Sequence, residues 1–376
     1  MLRESLALYV HWPFCRSKCP YCDFNSVAVG ELDHVRWRRA YVRELRESIA
    51  SFNDRQIVSV FFGGGTPSLM EPTTVAAILD GLALSSDAEI TLEANPTSVE
   101  TARFADFRAA GVNWVSVGIQ AFDAEALRFL GRTNSVDEAC RALDTARRHF
   151  ERFSFDLITA RPAQTATDWE RELRHALGFV QDHLSVYQLT VEPGTPFHDQ
   201  GVSESGEDAA CDIFDITQSV LNQAGLPAYE ISNHAKPGAE SRHNLVYWEG
   251  GDYLGIGPGA HGRLTMDGVT HATSQLSDPN AWLEHVEAHG HGTDESVALR
   301  HEERADELVM MGLRLTNGIE RARFRAITGR DVADVVNAGR LAVLVNEGFL
   351  TLNDERLAAT AKGWRLLNTI LGELLG

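Results

Sequence analysis

The chain has 376 residues, 44% hydrophobic and 23% charged, the composition of a soluble globular protein with ample material for a core. No run of about 18 apolar residues occurs, so no membrane span is expected. With 34 Lys and Arg against 53 Asp and Glu the formal charge is −19, which repels phosphate backbones and argues against a nucleic-acid partner; a sum does not reveal local basic patches.

Leu6–His11 (LALYVH) reads as a strand close to the first residue, with no room for a signal or transit peptide before it. A cytoplasmic location is therefore expected, with any peripheral membrane contact made through a partner. Cys15, Cys19 and Cys22 follow within eight residues, and the remaining cysteines, Cys140 and Cys211, fall on helical stretches. Three thiolates on one loop can each hold one iron of a cubane cluster and leave the fourth iron an open coordination position. A structural zinc site wants four closed ligands; there is no second CxxC, though His11 could complete a Cys3His set. A disulfide would leave an odd thiol.

Apolar residues Val35, Ala40, Val42, Leu45 and Ile49 recur at helical spacing in Leu32–Phe52, and Val58–Phe62 (VSVFF) is a second strand leading into Gly63-Gly64-Gly65-Thr66-Pro67. The unit then repeats: helix Thr73–Leu84 and strand Glu89–Ala94, helix Ser98–Ala110 and strand Trp114–Ile119. Helix Val136–Phe150, strand Phe153–Ile158, helix Trp169–Phe179 and strand His183–Thr190 close the series. Six strands alternating with helices predict an α/β fold of parallel units over 1–200, and polar residues at the strand ends favour an incomplete (β/α)6 barrel.

Over 201–295 the period changes: a helix Ala209–Ala224, a strand Ala228–Ser232, a Gly-rich stretch Gly250–Gly262 and a helix near Ala281–Ala288 are expected. The last part, 296–376, reads as mainly helical with a hairpin near Gly348–Leu357, a winged-helix-like module. The acidic balance assigns such a module to packing or protein contact rather than DNA.

Glycines after the second strand let the backbone approach a ligand closely, although a tight turn without ligand has the same composition. Glu93, Gln120, Arg132 and Asp156 sit at or beyond strand ends, and each alone could be an ordinary cap or ion-pair residue. Together with the CxxxCxxC spacing and Tyr21 before the last cysteine, they resemble the radical S-adenosylmethionine superfamily. That resemblance implies a [4Fe-4S] cluster on Cys15, Cys19 and Cys22 whose open iron chelates S-adenosylmethionine, and reductive cleavage to a 5′-deoxyadenosyl radical. It implies cofactor contacts from Tyr9, Tyr21, Gly64, Gly65, Thr66, Glu93, Gln120, Arg132 and Asp156.

Nearly the whole chain, through Met311-Gly312-Leu313-Arg314-Leu315, resembles the branch of that superfamily related to coproporphyrinogen oxidase. The oxygen-independent oxidases carry a further cysteine where this chain has Phe24, and a longer segment before the cluster. The heme-chaperone group carries HNxxYW, present here as His243-Asn244-Leu245-Val246-Tyr247-Trp248. The resemblance therefore implies a chaperone that binds heme and passes it to acceptor proteins, some respiratory and membrane-associated, with an electron donor for the cluster. Homodimerisation stays open.

His243 is the first candidate heme ligand, with Tyr247 and Trp248 flanking the porphyrin and His261 able to share the role. A hydrogen-bonded packing histidine would look the same in sequence. The Gly257-x-Gly259-x-x-Gly262 run contains Pro258 and lacks a βαβ setting, so it is no dinucleotide fingerprint. His285, His289 and His291 read as a solvated helix end. The chain has Thr159-Ala160 where the family often shows Tyr-Gly, which leaves the loop beyond Asp156 less defined. Two rival functions remain: oxidative decarboxylation of coproporphyrinogen III, and a metal-stabilised binding module without S-adenosylmethionine chemistry.

Overall fold

A computed structural model describes residues 5–52 and 54–376. The six expected strands are β1 (Ser5–Trp12), β2 (Gln56–Gly64), β3 (Leu84–Ala94), β4 (Trp114–Gln120), β5 (Arg152–Thr159) and β6 (His183–Gln188). They pair in parallel in sequence order. Such strands are apolar on both faces because helices cover the sheet: Leu6, Ala7, Leu8 and Val10 are all fully buried in β1.

The covering helices include α1 (His34–Ile49), α2 (Pro72–Leu79), α3 (Val136–His149) and α4 (Ala166–Ala176). Their starts are set by side-chain caps: Asp33 accepts from the Arg36 N–H, Ser135 and Glu138 form a reciprocal capping box, and Thr165 accepts from the Asp168 N–H. Two helical expectations are shortened. The α2 helix ends at Leu79 because β3 begins already at Leu84, and Ser98–Ala110 is two short helices, Ser98–Thr101 and Phe104–Ala109.

Downstream lie α5 (Glu207–Gln223), β7 (Asn233–Ala235), α6 (Arg242–Trp248), β8 (Tyr253–Ile256), β9 (His261–Met266), β10 (Val269–Gln275), α7 (Pro279–His289) and β11 (Thr293–Ala298). The strand expected at Ala228–Ser232 is absent; single bridges tie Ala228 to His234 and Glu230 to Leu315. The buried Glu230 carboxylate accepts from the Ser232 N–H and the Asn233 side chain, a local turn that competes with strand pairing.

The Gly-rich stretch holds the strand β8. Here β8 runs parallel to β1 on the side away from β2, and β9, β10 and β11 continue the sheet antiparallel. The glycines are steric: a Cβ on Gly255 would meet the His261 carbonyl oxygen at 2.1 Å, and one on Gly262 would meet Thr273 Oγ1 at 2.5 Å. With β7 antiparallel to β6 at the far edge, the described residues form one eleven-stranded sheet whose edges do not pair with each other, an open barrel with extensions. A buried carboxylate pins the extension: Glu44 of α1 accepts from the Gly257 and Gly292 N–H groups and the Trp282 indole, at 2.7, 2.8 and 3.0 Å. Burial pushes its pKa up to about 7.

A second core, including Val309, Leu313, Phe324, Leu350 and Ile370, belongs to the C-terminal part. There α8 (His301–Gly312) and later helices surround a small sheet of Ile319–Glu320, Leu350–Leu352 and Arg356–Ala359, with the last in the middle. No helix among the described residues is long and apolar enough to cross a membrane.

Candidate cofactor site

The cysteine loop leaves β1 and is bound to the end of β2 through the backbone. Gly65 donates its N–H to the Trp12 carbonyl at 2.6 Å and Thr66 donates to the Phe14 carbonyl at 2.9 Å. A Cβ on Gly65 would stand 2.9 Å from the Phe14 oxygen and 3.0 Å from Cys15 Sγ, and Gly64 has φ +109°, so both positions need glycine. From the other side Gly131, at φ +67°, faces Pro20: an added Cβ would lie 2.5 Å from its Cδ. The loop is thus held between two glycine contacts.

Cys15, Cys19 and Cys22 are free thiols, and all three line one cleft. The same cleft gathers Tyr21, Gly64, Gly65, Thr66, Glu93, Gln120, Arg132 and Asp156, from six different strands and loops. Tyr9 is the exception among the expected cofactor residues. Its ring packs behind the cleft against Phe61 and His243, and its hydroxyl meets His11 Nδ1 at 3.0 Å.

Sequence reasoning passed over Asn95, Ser116 and Gly118, which also line the cleft. Arg132 donates to Asn95 Oδ1 and to the Gly118 carbonyl, both at 2.7 Å, and a second nitrogen lies 3.6 Å from Cys19 Sγ. Asn95 in turn donates to Thr66 at 3.2 Å. Its position directly after Glu93-Ala94 at a strand end was the available signal. Gln120 has φ +69°, a left-handed backbone rare for a residue with a side chain and common where a site imposes it.

The carboxyls are placed in a poorly solvated environment. Glu93 is pushed up to about 8, first by burial and then by the nearby Asp156. Asp156 is pushed up to about 6 by burial, opposed by hydrogen bonds from Ser185 and Ser116. A donor chain ends on it: Trp114 Nε1 donates to Ser154, Ser154 to Ser116, and Ser116 to Asp156, at 3.1, 2.9 and 3.3 Å. Burial likewise raises the Cys15 and Cys22 thiols, so bound positive charge would have to draw their protons off.

The residues present fit a cubane cluster and its S-adenosylmethionine ligand. Three free thiols, an arginine beside one sulfur, two glycines bare of Cβ and two hard-to-ionise carboxyls face one space. His11 is tied up at both ring nitrogens, by Tyr9 and by the Asn25 carbonyl at 2.8 Å. Among the described residues no three His, Cys, Asp or Glu side chains converge on one ion.

The heme candidates are dispersed. His243 is 1% exposed, and its nitrogens meet Ser59 Oγ at 3.0 Å and the Tyr247 hydroxyl at 2.6 Å. Burial lowers its pKa to about 3. Ligating iron would break both contacts. The start of α6 is fixed as well, since Glu89 accepts from the Arg242 and His243 N–H groups and from Ser241 Oγ. Trp248 lines instead a cleft shared with Leu308, Leu315 and Phe324 of the C-terminal part. His261 opens β9 and is exposed. His285 lies 4.2 Å from His289 and 5.3 Å from His291, ring to ring, with Nδ1 of His285 against the His291 carbonyl.

His243→Ala is accordingly expected to lower the free energy of unfolding by about 2–4 kcal/mol, through a cavity and two orphaned hydroxyls. Denaturant titration measures it. An unchanged midpoint would free His243 from this packing role.

Comparison with known proteins follows the same lines. Residues 9–176 match the model of the radical SAM superfamily, and residues 299–366 match that of the HemN C-terminal domain. The chain is 38% identical to the heme chaperone HemW of Escherichia coli over 97% of each chain. It is 40% identical to the mitochondrial radical S-adenosyl methionine domain-containing protein 1 of Bos taurus, over 99% of this chain and 88% of the relative. Among solved structures, coproporphyrinogen III oxidase HemN of Escherichia coli superposes with a TM-score of 0.83 at 22% identity, covering 98% of this chain and 89% of that one, which establishes the fold. The chain belongs to the radical SAM superfamily, in the family of the bacterial HemW proteins.

Proposed function

We propose that this protein is a heme chaperone, which binds heme and transfers it to acceptor proteins while holding a [4Fe-4S] cluster and S-adenosylmethionine. The observation that carries the reading is the convergence of the three free thiols with Gly64, Gly65, Thr66, Glu93, Arg132 and Asp156 on one cleft. When bound, the cluster supplies an iron with an open position for S-adenosylmethionine and a carrier for one electron.

The chain's own residues do the rest. The backbone at Gly64 to Thr66 meets the methionyl end, where a side chain at Gly65 would press on Cys15. Glu93 and Asp156 offer oxygens for ribose hydroxyls, and Arg132 offers N–H groups to a carboxylate or to Cys19. Tyr9 acts from behind, filling the space between His11 and His243.

Two features support a chaperone over an oxidase. Phe24, 56% exposed, stands where the oxidases carry an additional cysteine, and the identity to bacterial HemW extends over nearly the whole chain. In the HNxxYW motif His243 and Tyr247 hold α6 in place, leaving Trp248 of the motif and the exposed His261 beyond it as the residues open to a tetrapyrrole. Acceptors, respiratory or membrane-associated, and an electron donor complete the partners.

The test is anaerobic reconstitution with iron, sulfide, S-adenosylmethionine and heme, followed by incubation with an apo-cytochrome. Heme is expected to appear on the cytochrome by its shifted Soret band, and coproporphyrinogen III is expected to remain unchanged. Turnover of coproporphyrinogen III to protoporphyrinogen IX would replace this reading with the oxidase.

A further inference from the structure

Strand β4 lies parallel to β5, with Trp114 level with Arg152 and Ser116 level with Ser154. Side chains alternate along a strand, so Trp114 and Ser116 share one face of β4, and Arg152, Ser154 and Asp156 share one face of β5. Both faces look toward the cofactor cleft, which Ser116 and Asp156 line. The register slips between Val117 and Gln120, and Ser116 reaches across that slip to Asp156.

The three links that end on Asp156 run in one direction. An indole N–H only donates, so Ser154 Oγ accepts from Trp114 at 3.1 Å and keeps its single proton to give. That proton goes to Ser116 Oγ at 2.9 Å, which leaves the Ser116 proton for Asp156 Oδ1 at 3.3 Å. Trp114 and Ser154 are each 2% exposed and Ser116 8%, so solvent has little access to the chain.

The far end is fixed as well. The Arg152 guanidinium lies 4.0 Å over the Trp114 ring and is itself held by the Ala239 carbonyl at 2.7 Å and Asp182 at 3.1 Å. The His183 ring meets the indole edge to face, with centres 5.1 Å apart. These contacts clamp the ring and keep its N–H on Ser154.

We infer that Trp114 is a positioning residue of the cofactor cleft, whose indole N–H, through the hydroxyls of Ser154 and Ser116, holds the Asp156 carboxylate ionised and turned to receive ribose hydroxyls. The inference rests on the reading of this cleft as the S-adenosylmethionine site, and adds to it a residue outside the cleft lining. Without the N–H the two hydroxyls can reverse, and a protonated Asp156 can donate to Ser116 as readily as the ionised form accepts from it. The other groups that face Asp156 are Glu93 from β3, of like charge, Arg132 from the loop beyond β4, and Tyr187 and Ser185 from β6.

The experiment measures the affinity of the anaerobically reconstituted protein for labelled S-adenosylmethionine by equilibrium dialysis, from about pH 5 to about pH 8.5. Wild type, Trp114→Phe, Ser116→Ala and the double variant are compared; phenylalanine keeps an aromatic ring under Arg152 and removes the donor. Trp114→Phe is expected to bind about 10-fold more weakly near pH 6, with the rise of affinity in that region moved up by about one pH unit and most of the loss recovered at about pH 8.5. Ser116→Ala is expected to do the same, and the double variant no more than Ser116→Ala alone, because Trp114 acts through that hydroxyl. A purely structural Trp114 would lower the melting temperature, add its effect to that of Ser116→Ala and leave the pH profile in place, which overturns the inference. A Ser116→Ala profile that matches wild type overturns it too, and decides the matter even where Trp114→Phe fails to fold. Wild type that takes up iron but binds no S-adenosylmethionine overturns the reading of the cleft itself, and this inference with it.

Discussion

Cys19→Ala is expected to give a folded protein that no longer assembles its cluster: after anaerobic reconstitution the iron content falls from about four per chain to a small residue, and the brown absorption disappears. The effect is large because the loop supplies three ligands and no spare. Cys140 lies on α3 and Cys211 on α5, outside the residues that line the cleft, so neither can substitute. Nor can His11, whose ring nitrogens are engaged with Tyr9 and the Asn25 carbonyl.

The stability cost is small by contrast. Cys19 is only partly buried, and its contact with Arg132 is long, 3.6 Å. Cys15 would be a poorer probe, since it is 7% exposed and packed under Gly65, and its loss would mix cavity and ligand effects. Cys140→Ala and Cys211→Ala should retain full iron content. A Cys19→Ala protein that still carried about four irons would exclude the cubane on this loop.

Much of this site was legible in sequence because its chemistry is local. Three cysteines in eight residues and a glycine run after a strand declare themselves without knowledge of the fold. Glu93, Gln120, Arg132 and Asp156 needed the βα period as well, since their meeting in one cleft depends on strands 20 to 40 residues apart lying side by side.

What the sequence hid is non-local. The glycines of Gly250–Gly262 mask the strand signal there, yet β8 needs Gly255 and its neighbour β9 needs Gly262 to let strands and side chains approach. Ala228–Ser232 has strand composition, but the Glu230 carboxylate captures neighbouring N–H groups and turns the chain. The HNxxYW motif could not be divided in advance. That His243 is tied to Ser59 on β2, 184 residues away, is a property of packing and not of the motif.

Glu93→Gln is expected to change both ligand affinity and the pH dependence of stability, in opposite directions. In the folded chain Glu93 ionises at about 8 against an ordinary 4.5, and Asp156 at about 6 against 3.8. Between those limits the native state holds protons that the unfolded chain has released. Stability of the ligand-free protein therefore falls as pH rises from about 4 through 8, since it increases with pH only where the unfolded state binds more protons. Glutamine keeps the shape and removes the titration. The variant should gain of the order of 2 kcal/mol over wild type at pH 8 and little at pH 5, once partial solvent contact at the cleft is discounted.

The same substitution should weaken S-adenosylmethionine by about 10- to 100-fold at pH 8, because a carboxylate accepting from hydroxyls near a sulfonium is replaced by a neutral amide. Wild-type affinity should improve as pH rises through about 8, and the variant should lose that dependence. Thermal unfolding across pH and equilibrium dialysis of the labelled compound provide the two readings. A residue with a purely structural role would lose stability on substitution and leave the affinity profile alone. A binding carboxyl kept neutral in the empty cleft gives the reverse, a protein that is firmer without its acid and poorer at holding its ligand.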